Sequence, residues 1–136
     1  MNTKKFILLL LFGLSSLNLF SQTKKSLEII EKKYQDKLDT GNDMYGSTII
    51  YYNQMDSMLN VVYRMAKLKL NTNRASILKA QQLKWLKQRD NYFKTVDKEQ
   101  NESGLNSIDN KMTKLHEKAA FINDRILTIL KTYQLN

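Results

Sequence analysis

Proline is absent from all 136 residues. That omission constrains the fold more than any motif, because proline interrupts a helix interior at a cost of about 3 kcal/mol. Glycine, the next breaker, occurs four times, at Gly13, Gly41, Gly46 and Gly104. The long stretches between them predict a mostly helical chain. A hydrophobic share of 42% gives a chain of this length enough material for the core of one small domain.

Periodicity divides the chain into four helical segments. Residues 22–39 carry Leu27, Ile30, Tyr34 and Leu38 at three- and four-residue steps, with Glu28, Glu31, Lys32 and Lys33 outside, forming a short amphipathic helix. Residues 40–47 contain Gly41, Asn42, Asp43 and Gly46 and read as a turn-rich connector. A second helix is predicted from Thr48, as N-cap, to about Leu70. Its seam of Tyr51, Met55, Met58, Val62 and Met65 is widened by Tyr52, Leu59, Ala66 and Leu70, so it meets more than one neighbour. Asn71-Thr72-Asn73 can cap a third helix reaching about Gln100, with one stripe through Trp85 and another through Leu83, Leu86 and Phe93. After a connector at 101–106, Ser107 can cap a fourth helix. There Ile108, Met112, Leu115, Ala119, Ile122, Ile126, Ile129 and Tyr133 alternate steps of four and three, the strongest periodic signal in the chain.

All glycines beyond residue 21 are thus expected between helices, and the short links favour antiparallel neighbours. The expectation is all-α: an up-and-down bundle of three long helices plus a shorter N-terminal one. The doubled stripes suit self-association as well as a monomer, so the oligomeric state stays open.

Residues 1–21 stand apart from this pattern. Lys4 and Lys5 precede an apolar run from Phe6 to Leu14, which is too short to span a bilayer, and a more polar stretch ends at the small Ser21. They read as a signal peptide, leaving residues 22–136 as a single exported domain. Contact with a membrane would then be limited to the transient signal. With no cysteine there is no disulfide framework, no catalytic thiol and no lipoprotein anchor, so the expected location is periplasmic or extracellular. Removal of the segment lowers the formal charge from +9 to +7, since it holds two lysines and no acid. Export and the lack of an aromatic-interleaved basic run argue against nucleic acid as a partner. Attraction to anionic envelope polymers or lipid head groups is the alternative that this charge supports.

The inventory for catalysis is thin. His116 is the only histidine and lies next to the Leu115 seam, where a surface or boundary role is expected. Asp36, Asp39 and Asp43 lack the remaining ligands of a calcium loop and fit a capped turn. No phosphate loop, nucleophile elbow or paired metal-binding histidines occur, so neither enzyme, metal nor cofactor is expected. The unusual stretch is Leu78–Asp90. Leu78, Gln82, Trp85, Arg89, Tyr92 and Val96 share one helical face, placing a glutamine and an arginine on an apolar stripe. Those polar groups need partners. Asp90 is adjacent to Arg89 but points about a quarter-turn away, and Asp56 on the neighbouring helix is another possible acceptor. Two roles are open: a polar network that fixes helix register, or a binding surface built on Trp85 and Arg89.

The same stretch resembles the LprI-type lysozyme-inhibitor family of exported bacterial proteins. Its pattern is a leucine, then Gln-x-x-Trp, then Arg-Asp four residues beyond the tryptophan, matched by Leu78, Gln82, Trp85, Arg89 and Asp90. An upstream Asp-x-x-Leu-Asn-x-x-Tyr element is matched by Asp56, Leu59, Asn60 and Tyr63. The resemblance covers about residues 56–130. It implies a non-enzymatic helical binding protein whose partner is a lysozyme or another cell-wall hydrolase, with Gln82, Trp85, Arg89, Asp90, Asp56, Asn60 and Tyr63 as partner-binding or network residues. The family usually has cysteines, one three residues after the Arg-Asp pair and one in the last helix. Phe93 stands at the first position here, so the resemblance implies apolar packing where relatives carry a disulfide clamp. An inhibitor of a basic lysozyme is expected to be acidic at least locally, and Asp97, Glu99, Glu102 and Asp109 provide only a modest acidic tip.

Overall fold

The computed structural model describes residues 23–102 and 107–133, the side chains of 100–102 excepted. The expected signal peptide and Gly104 lie outside the described residues. Among the described residues four helices form: α1 (23–40), α2 (Met44–Lys69), α3 (Thr72–Glu102) and α4 (Ile108–Thr132). Three are long and the N-terminal one is shorter, as the periodicity requires. None is long and apolar enough to cross a membrane.

The helix ends follow local chemistry. Asn71 Oδ1 accepts from the Arg74 amide at 3.0 Å at the start of α3, and Ser107 Oγ accepts from Asn110 at 3.3 Å at the start of α4. The start of α2 departs from the expectation. Its N-cap is Asp43, whose backbone is left-handed (φ 46°) and whose carboxylate accepts from the Gly46 amide at 3.1 Å. Thr48 is therefore inside the helix and fully buried, its hydroxyl donating to the Met44 carbonyl at 2.8 Å. Gly46 is also helical, not a breaker. A Cβ there would collide with the Asp43 carboxylate, so the glycine leaves room for the cap.

Consecutive helices run antiparallel. Tyr34 meets Tyr51, Tyr52 meets Phe93, and Trp85 meets Phe121. Glu31 and Asn123 bond at 2.8 Å, bringing α1 against α4. The bundle is organised on its diagonal, because α2 and α4 make the most extensive contact of the three longer helices. Both contribute buried alanines, Ala66 and Ala119, beside Met55, Leu59, Val62, Ile122, Ile126 and Ile129. Small side chains let the two backbones approach while the larger ones interdigitate. On α4, His116 and Asn123 face α1, whereas Lys118, Phe121 and Arg125 face α3.

Candidate functional site

The stripe on α3 turns inward. Leu78 and Val96 are fully buried, Gln82 and Trp85 nearly so, and Arg89 and Tyr92 half-buried. Trp85, with 8% of its surface exposed, stacks on Phe121 of α4 at 5.7 Å, and Phe121 stacks on Tyr92 at 4.6 Å. Two guanidinium groups flank the indole, Arg89 at 5.8 Å and Arg125 at 5.9 Å from its centroid. Such cation–π contacts add about 0.5–2 kcal/mol each, more when water is excluded.

The two arginines are satisfied differently. Arg89 Nε and Nη2 both donate to Asp90 Oδ1, at 3.0 and 2.7 Å, so the sequence neighbour and not Asp56 is its carboxylate. Arg125 Nε donates to Gln82 Oε1 at 2.9 Å, while its Nη2 is buried without a hydrogen-bond partner among the described residues. Burial pushes the Arg125 pKa down, with Tyr133 opposing. Sequence reasoning missed Arg125. It lies three residues after Ile122 and four before Ile129, on their stripe, and the test that singles out Arg89 would have found it.

Asp56, Asn60 and Tyr63 of α2 face Gln82 and Arg89 of α3 across a groove of about 230 Å³, with Leu59 on its wall. Asn60 Nδ2 donates to the Asp56 carbonyl at 3.0 Å. The half-buried Asp56 carboxylate has no hydrogen bond or ion pair among the described residues. Of the seven expected site residues, five line this groove, while Trp85 sits behind it against α4 and Asp90 lies outside, held to Arg89. Gln82 joins the two zones, touching the groove and bonding across to α4. Leu83, expected on a second buried stripe, is 53% exposed, since α2 covers only the Leu86 and Phe93 side of that stripe.

The remaining candidates sit elsewhere. His116 is exposed, with Nδ1 3.3 Å from the Tyr34 hydroxyl. Asp36 pairs with Lys32, Asp39 accepts from Gln35, and Asp43 caps α2. Among the described residues no cluster of three or more His, Cys, Asp or Glu could hold a metal ion. Phe93 contacts Tyr52 of α2 and Phe121 of α4, and lies 5.2 Å from Lys118 Nζ, so an aromatic junction occupies its position between three helices. Asp97 is bound to Lys118 at 2.7 Å, which removes one charge from the acidic tip.

The fold and this layer define an all-α four-helix bundle with a cation–aromatic layer between its last two helices. Residues 23–128 match the family described as lysozyme inhibitor LprI, and the chain belongs to that family. The match begins in α1, well before the two motif elements that carry the resemblance. No curated protein and no solved structure matches the chain.

Proposed function

We propose that this chain is an exported, non-enzymatic binding protein that inhibits a lysozyme or another cell-wall hydrolase. The observation that carries this reading is the convergence of two separate sequence elements, from α2 and α3, on one groove. Trp85, Phe121 and the Gln82–Arg125 bond hold that groove rigid from behind, so little ordering entropy is lost on binding. Asp56, Tyr63 and the exposed Leu83 supply a charge, a phenol and an apolar contact at its rim. A charge of +7 repels basic hydrolases at long range and favours encounters with acidic ones.

The test is a lysis assay in which residues 22–136 are titrated into basic and acidic lysozymes at low and moderate salt. Dose-dependent inhibition is expected, strongest for acidic enzymes, and salt should improve the inhibition of basic ones by screening repulsion. Replacing Asp56 and Tyr63 together by Ala should weaken inhibition without unfolding the bundle. A folded sample that inhibits no lysozyme or other wall hydrolase would remove the proposed activity and leave the family membership intact.

A further inference from the structure

A second, larger concavity of about 550 Å³ opens between the end of α1 and the start of α2. It lies on the opposite side of α2 from the motif groove, because Ser47, Ile50, Tyr51 and Gln54 are about half a turn round from Asp56, Asn60 and Tyr63. Its volume falls within the range of small-molecule sites, about 300–1,000 Å³, whereas the motif groove falls below it.

The wall combines three kinds of group. Its apolar part is the Tyr34–Tyr51 pair, stacked at 4.1 Å with rings 6° from parallel, together with Ile50, an isoleucine left 57% exposed. Its donors are the hydroxyls of Ser47 and Tyr51, residues 9% and 7% exposed that have no side-chain hydrogen bond among the described residues. Burial, then Glu31 and Tyr34, push the Tyr51 phenol up to about 12, so it is a neutral O–H group across the physiological range. At the mouth stand Lys33 and Lys37, one helical turn apart, both exposed and without an ion pair among the described residues. Among the described residues Asp36 is the one carboxylate on the wall, and Lys32 engages both of its oxygens at 2.8 and 2.9 Å. Positive charge therefore dominates the rim, over a mainly apolar interior with spare donors. Both hydroxyls remain accessible to a ligand or water that enters the cavity.

We propose that this cavity binds a single soluble amphiphilic carboxylate, with its head between Lys33 and Lys37 and its apolar body on Ile50 and the tyrosine pair. The binding is separate from hydrolase inhibition, because it uses the other face of α2. Anionic head and apolar body are both required by the wall: lysines alone would attract any anion weakly, and Ile50 with the tyrosines alone would take any hydrocarbon.

The probe is dodecanoate below its micelle concentration, titrated into the purified chain by calorimetry, with dodecanol as the uncharged analogue of equal chain length. Saturable one-to-one binding of dodecanoate is expected, with dodecanol weaker by roughly tenfold or more. The Lys33→Gln/Lys37→Gln double variant should lose about tenfold in affinity. Ile50→Glu, a change at an exposed position that places a carboxylate on the wall, should do the same with unfolding temperature unchanged. The proposal fails if wild type shows no saturable binding, if dodecanol binds as well as dodecanoate, or if the double variant binds unaltered. Retention on anionic vesicles without binding of monomeric dodecanoate also overturns it, in favour of a membrane surface.

Discussion

The two flanks of α4 solve the same burial problem in different chemistry. Toward α2 it offers Ala119, Ile122, Ile126 and Ile129 to a seam that also holds Met55, Leu59, Val62 and Ala66, all nearly or fully buried. Toward α3 it offers Lys118, Phe121 and Arg125 to Asp97, Tyr92, Trp85 and Gln82. Hydrophobic burial is non-directional, so the first flank supplies stability with little preference among nearby registers. A guanidinium on an amide oxygen at 2.9 Å is directional, and sliding α3 by one turn would leave both groups buried and unpaired. The α2–α4 flank holds the bundle together, and the α3–α4 flank fixes how α3 is placed, which in turn shapes the groove on its far side.

That division can be broken most forcefully at its largest side chain. Trp85→Ala should cost about 3–5 kcal/mol in denaturant unfolding, with Ile126→Ala on the opposite flank close behind at about 2–5 kcal/mol. A Trp85→Ala protein of unchanged stability would mean that the indole contributes to binding and not to the core. The next test is a cycle across the flank. Gln82→Leu alone leaves Arg125 without its acceptor and should cost about 1–3 kcal/mol, whereas Gln82→Leu with Arg125→Met should recover most of the loss. Failure of the double variant to recover would show that the pair contributes stability as well as register.

A spectroscopic titration extends the comparison to α1. Tyr51 holds its proton up to about 12, whereas in the unfolded chain it ionises near 10. Between those values the unfolded state has lost a proton that the folded state keeps, so stability should fall as pH rises through this window. Absorbance at the phenolate band should show a late step that disappears in Tyr51→Phe. The smallest effect belongs to the solvent side of the polar flank. Asp90→Asn should change stability by at most about 1 kcal/mol, because the Asp90 carboxylate is more than half exposed.

Much of this was legible in the sequence, and the exceptions share a cause. The seam of α4 and the caps at Asn71 and Ser107 are local properties, readable from spacing and residue type. The inward stripe of Leu78, Gln82, Trp85 and Val96 is likewise periodic, and the motif match brought in Asp56, Asn60 and Tyr63. Thr48 reads as a cap because Gly46 reads as a breaker, whereas in the structure Gly46 makes space for the Asp43 carboxylate that caps α2. The acceptor for Arg89 was open between two carboxylates until the geometry chose Asp90. Arg125 is readable from its spacing to Ile122 and Ile129, but its Gln82 partner and the α1–α2 cavity depend on which faces of different helices meet, and no single-helix periodicity carries that information. Leu83 is the same case in reverse, since its apolar character matches a stripe but it stands half exposed at the edge of the groove.

The diagonal α2–α4 contact also has a consequence in time. Its two helices are separated along the chain by the whole of α3, a 31-residue helix, so the main seam closes only by a long-range encounter, which slows folding relative to a bundle built from sequential neighbours alone. Because α4 follows α3 in the chain, Met55, Val62 and Ala66 lack the α4 side of their seam until that helix has been synthesised. A chain stopped before Ile108 thus leaves those side chains uncovered and should be cut faster by proteases than one that includes α4. Completion of α4 is the event that lets this seam close.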